Sequence, residues 1–116
     1  MKHEQQPLES MRAMDAEQET QRLKLGDQLA VAREIDHFGY FRKKAGALSA
    51  AEELAEDGFR VSISRKGLTW LLEARTESDV ELPTVDDYVA RMFELMQRHG
   101  GVYDGWGAPV VLKERE

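Results

Sequence analysis

The chain has 116 residues, enough for one domain and too few for two ordinary ones. Hydrophobic side chains make up 41% and charged ones 33%, a globular composition with enough apolar surface for one core. There is no cysteine, which excludes disulfides, thiolate nucleophiles, zinc–thiolate sites and iron–sulfur clusters and makes a reducing cytoplasm the expected compartment.

The formal charge of −6 argues against a general nucleic-acid binder, which needs a concentrated basic face to release counterions from phosphates. The basic clusters, Arg42-Lys43-Lys44 and Arg65-Lys66, are short and diluted by nearby acids, so the balance favours a protein partner. The N-terminus lacks the apolar core of a signal peptide, and the longest apolar run, residues 108–112, is far shorter than a bilayer span of about 20 residues. A soluble, intracellular protein with no membrane association is expected.

Residues 1–14 are mostly polar and read as a flexible tail containing His3. Asp15 is a candidate cap for a helix over residues 15–29, with Leu25 and Leu29 as a thin apolar stripe. Residues 35–41 read as a strand that sets Ile35, His37, Gly39 and Phe41 on one face. Ser49 and Glu52 have the spacing of a capping box, predicting a helix from Ser49 to Asp57 that Gly58 stops. Its expected apolar face is Leu48, Ala51, Leu54 and Ala55.

Phe59, Val61 and Ile63 alternate with polar residues, and Leu68, Trp70, Leu72 and Ala74 do so again beyond the turn at Gly67. The two strands form a hairpin. An acidic loop over residues 77–82 precedes the best helix, with Thr84 as its cap and Gly100 at its end. Val85, Tyr88, Val89, Met92, Phe93 and Met96 form its apolar stripe. A last strand runs from Val102 to about Val111.

After its first helix the chain thus has the β-α-β-β-α-β order of a ferredoxin-like α+β sandwich, with the additional helix at its N-terminus. The domain spans residues 15–112, with a short tail over 113–116. One sheet face stays open in this arrangement unless the first helix or a second copy covers it, so a homodimer is an option.

No metal or cofactor is expected, because the three histidines accompany neither a nucleophile nor a ligand cluster and no phosphate-binding loop occurs. An enzyme is therefore not expected. His99 is accounted for by a helix C-terminus, and His37 reads as a packed histidine. Residues 100–107 are the unusual stretch: either Gly105 and Gly107 permit a bulge or bend with Tyr103 and Trp106 as core aromatics, or the glycines expose Tyr103, Asp104 and Trp106 as a platform for a ligand or partner. Arg42, Lys43 and Lys44 beside Phe38, Tyr40 and Phe41 are the alternative, a single-strand RNA-binding pattern that solvated loop charges explain as well. A small-ligand domain using the open sheet face is a third option.

Tyr103-Asp104-Gly105-Trp106-Gly107 resembles the C-terminal signature of the RraB family, the regulators of ribonuclease E activity. Arg33-Glu34-Ile35-Asp36-His37-Phe38-Gly39-Tyr40-Phe41 is similar to that family's first strand. Glu52-Glu53-Leu54-Ala55-Glu56-Asp57-Gly58-Phe59-Arg60-Val61 is similar to its helix–glycine–strand passage, and the likeness covers roughly residues 18–112. The resemblance implies a ferredoxin-like fold and a non-catalytic, bacterial-type protein. Such a protein binds ribonuclease E and lowers its endonucleolytic activity, altering RNA decay.

Overall fold

The computed structural model describes residues 4–113; His3 and residues 114–116 lie outside them. Three helices and four strands follow in the order α1 (Leu8–Lys24), β1 (Arg33–Phe41), α2 (Lys44–Glu56), β2 (Arg60–Lys66), β3 (Thr69–Ser78), α3 (Leu82–Arg98) and β4 (Gly101–Gly107). The strands form one sheet in the order β2-β3-β1-β4. All three pairings are antiparallel. The protein is therefore α+β, as its element order predicts.

Alternation decides which face of the sheet is covered. Ile35, His37 and Phe41 are buried on β1, and Ala74 and Trp70, paired with His37 and Phe41, share that face with Leu72 and Tyr103, both paired with Gly39. Against it pack Ala47, Ala50 and Leu54 of α2 and Val85, Val89, Met92, Leu95 and Met96 of α3. Close packing of small alanines lets α2 lie near the sheet. The opposite face carries Glu34, Asp36, Phe38, Tyr40, Leu71, Glu73, Arg75 and Val102. Arg75 bonds Asp36 at 2.8 Å and Glu73 at 3.2 Å there, beside a depression of about 70 Å³. The first helix packs on α3 and reaches Trp106 through Asp15, so it joins the already covered side and leaves this face open.

Several boundaries differ from the sequence expectation. The first helix starts at Leu8, so residues 8–14 are helical rather than tail, and Asp15 is an interior residue rather than a cap. Gly26, at φ +84°, stops it: the Gly26 and Asp27 N–H groups return to the Leu23 and Arg22 carbonyls, a helix end that L side chains resist. The second helix starts at Lys44, five residues before the Ser49 capping box, because Ala47 gains full burial in the added turn. Leu48, expected on the apolar face, is half exposed, and Leu68 lies in the hairpin turn at 89% exposure. The third helix is capped at Glu81 rather than Thr84, and β4 ends at Gly107.

Gly46 marks a tight approach between α2 and the end of α3. A Cβ there would lie 2.5 Å from the His99 carbonyl oxygen and 3.3 Å from the Phe41 ring. Because a backbone oxygen cannot swing aside, Gly46→Ala is expected to destabilise the fold by about 1–3 kcal/mol, despite alanine's better helix propensity. Urea unfolding checks this; an unchanged or raised midpoint would show that α2 shifts freely.

Candidate functional site

The last strand is an edge strand, and the site is built on its middle. The β1–β4 register shifts between Phe38 and Gly39, so Asp104 is the extra residue of a bulge and Gly105 takes φ +101°. A bulge re-aims the side chains on either side of it. Tyr103 and Trp106 thereby both turn toward the helices, while Asp104 remains exposed. The structure thus gathers the three residues singled out in the sequence around one groove and gives each a different environment.

Tyr103 is a core residue, 2% exposed, and its hydroxyl lies 2.8 Å from His37 Nδ1. Burial holds its phenol well above the ordinary range, and nearby Tyr88 and Asp15 push the same way. His37 is fully buried among Phe59, Tyr88 and Tyr103, and desolvation lowers its pKa to about 4. It is neutral at physiological pH, in agreement with a packed histidine. Trp106 meets Tyr88 edge-on at 5.6 Å, has the Arg22 guanidinium 5.4 Å from its ring centroid, and donates its indole N–H to Asp15 Oδ1 at 3.0 Å.

Asp15 closes the groove from the α1 side. It is 9% exposed, and its second oxygen, Oδ2, is buried with no hydrogen-bond partner among the described residues. Burial raises its pKa; the Trp106 bond opposes this and the charge of Asp86 adds to it. Met11 and Met14 supply the apolar wall, and the groove encloses about 210 Å³. Ahead of the helix, Gln5 reaches the strand edge. Its amide donates to the Tyr103 carbonyl at 3.0 Å and accepts from the Tyr103 N–H at 2.8 Å.

The sequence marks neither residue as part of a site: Asp15 reads there only as a helix cap, and Gln5 falls in the polar tail. A helix begun at Leu8 would have placed Met11, Asp15, Gln18 and Arg22 on one stripe and exposed Asp15 as an acid among buried positions.

Beyond the groove, Arg22 and Arg33 enclose the carboxylate of Asp27 at 2.9 and 2.7 Å. The two arginines also donate to the Ala108, Pro109, Gln28 and Val31 carbonyls, so this cluster anchors residues 108–112 behind the site.

The basic residues Arg42, Lys43 and Lys44 are exposed at the end of β1 and the start of α2, and none of them lines the groove. Phe41 is core, so it cannot serve as a stacking surface for them. The aromatic that accompanies the loop is instead Trp70: Lys44 lies 5.2 Å and Arg65 5.7 Å from its ring centroid. Two basic clusters that are separate in sequence converge there, because Trp70 pairs with Arg65 across the hairpin and with Phe41, next to the Arg42–Lys44 loop, across β1.

Fold and site together define a helix-backed antiparallel sheet with a polar-lined groove at its edge strand. The chain belongs to the RraB family, regulator of ribonuclease activity B, whose sequence profile it matches over residues 14–108. It is a regulator of ribonuclease activity in that general sense. No curated protein matches the chain. Among the described residues no helix is long and apolar enough to cross a membrane.

Proposed function

We propose that the chain is a non-catalytic, cytoplasmic regulator that binds ribonuclease E by protein–protein contact and lowers its endonucleolytic activity, and so alters RNA decay. The observation that carries this reading is the family match over residues 14–108. The β2-β3-β1-β4 order, with α2 and α3 on one face, supports a ferredoxin-like sandwich as the scaffold. The groove at Tyr103, Asp104 and Trp106 is the contact surface in this reading, with the exposed Asp104 touching the partner and the buried Tyr103 holding the strand in place.

Asp104→Ala is then expected to weaken inhibition of ribonuclease E about tenfold, while the thermal midpoint moves by no more than a surface substitution does, about 0.5 kcal/mol or less. Inhibition titrations beside thermal melts check it. Equal inhibition by the variant, or parallel loss of folding and inhibition, would demote Asp104 to scaffold.

The convergence of Lys44 and Arg65 on Trp70 favours a second reading, a single-strand RNA contact with Arg42, Lys43 and Lys44 along the phosphates. Such binding weakens steeply with salt. No shift of labelled single-stranded RNA at low salt removes this alternative.

A further inference from the structure

We propose that the groove between α1 and β4 takes an extended segment of the protein partner that carries an arginine or lysine. The cation sits on Asp15 Oδ2, and the segment's backbone takes over the Tyr103 N–H and C=O that Gln5 holds. This rests on the reading that the chain regulates its ribonuclease by protein contact, and it names the chemistry of the segment recognised.

Three independent observations point to it. First, Asp15 lines the groove and is more than nine-tenths buried, and its Oδ2 is a buried oxygen with no partner among the described residues. A buried polar atom left unpaired costs free energy that a charged donor removes. The nearest cation of the chain cannot serve, because Arg22 is committed to Asp27, Gln18 and the Ala108 and Pro109 carbonyls.

Second, the groove is lined by three carboxylates, Glu4, Asp15 and Asp104, and by no lysine, arginine or histidine among the described residues. Its sign selects a cationic visitor. A volume of about 210 Å³ is below the range of a small-molecule pocket and suits one long side chain. Met14, 58% exposed, offers an adaptable thioether wall for the methylene stem of that side chain.

Third, β4 is an edge strand whose Tyr103 N–H and C=O are both held by one side-chain amide. A glutamine amide has the donor and acceptor of a peptide group, so Gln5 occupies the place an added strand would take. An extended peptide replaces those two bonds and can continue the ladder, which is how exposed sheet edges recognise partners.

The test uses the full chain and a blocked pentapeptide, Thr-Val-Arg-Val-Thr, with a copy in which neutral citrulline replaces the arginine. Binding is read from the Trp106 indole and Gln5 side-chain amide resonances. The arginine peptide is expected to shift both signals and to bind at least about fivefold more tightly than the citrulline copy. Asp15→Asn retains an acceptor for Trp106 and removes the charge. It should weaken the arginine peptide about tenfold and leave the citrulline peptide unchanged.

Gln5→Ala should tighten both peptides, since it removes the competitor; a merely structural Gln5 would do the reverse. Equal binding of the two peptides, or an Asp15→Asn variant that still prefers arginine, overturns the proposal, and so does an unmoved Trp106 signal at millimolar peptide. If Asp104→Ala relieves inhibition of ribonuclease E while Asp15→Asn does not, this inference fails and the broader reading stands. Arginine-selective peptide binding by a chain that does not inhibit ribonuclease E supports the groove's chemistry and sinks the broader reading.

Discussion

Asp27→Ala is expected to cost about 3–5 kcal/mol of folding stability, the range seen when one member of a buried ion pair is removed. Its side chain is fully buried, and those of Arg22 and Arg33 are 9% and 2% exposed. The Asp27 carboxyl is held below the ordinary carboxylate range: burial opposes ionisation, and bonds from Arg33, Arg22 and the Val111 N–H outweigh it. Deleting the carboxylate strands two cations. For a domain whose stability is about 5–15 kcal/mol, the midpoint of a thermal melt at pH 7 should fall by roughly 10–25 °C.

The damage should also appear locally. The Val111 N–H loses its acceptor, and the Gln28–Val111 bond beside it loosens, so amide exchange over residues 108–112 should accelerate. Apolar replacement of all three side chains, neutral in some buried triads, should not restore stability here, because the arginines also satisfy backbone carbonyls. A melt within about 3 °C of the parent would refute this account. Because the folded pKa is depressed, the carboxylate's contribution is present above the ordinary carboxylate pKa and is lost as pH falls through the lower, folded value.

The second large effect is a loss of stability between pH 6.5 and pH 4 that belongs to His37. Its folded pKa is about 4, whereas an unfolded histidine titrates near 6.5. Between those values the unfolded chain binds a proton that the native state excludes, so stability is full above about pH 6.5 and declines as pH falls. At pH 4.5 the decline should reach about 2–3 kcal/mol. The Tyr103 hydroxyl against Nδ1 gives the ring no negative charge to offset protonation, and Nε2 has no partner among the described residues.

Asp15 acts in the opposite sense, since its raised pKa means the native state takes up a proton more readily than the unfolded chain at the acid end. Guanidinium unfolding of the parent and of His37→Gln at pH 7 and pH 4.5 separates the contributions. The parent should lose more than the variant by the stated amount. Equal losses would mean that His37 protonates inside the fold without penalty.

Periodicity and turn chemistry made the order of elements legible from residue types. The alternation of Val61 and Ile63, the alternating Trp70, Leu72 and Ala74, and the glycines at 58 and 100 are local signals, and local signals survive without neighbours. The buried face of β1 was equally legible, since every second residue from Ile35 to Phe41 shares it. Helix starts were not. Ser49 and Thr84 have cap chemistry, but burying Ala47 carries α2 back past Ser49, and Glu19 of α1, which accepts the Leu82 N–H, lets α3 begin ahead of Thr84.

The amino-acid order by itself determined the α+β class, the single domain's worth of elements and the interest of Tyr103, Asp104 and Trp106. Only the tertiary structure decided that Tyr103 is core and Asp104 exposed, because a one-residue bulge resets which way each side chain points. It also decided that Asp15 closes the groove and Gln5 holds the strand edge, each more than ninety residues away in the chain. Contacts at that separation arise from sheet order and helix docking, which no window of local sequence encodes.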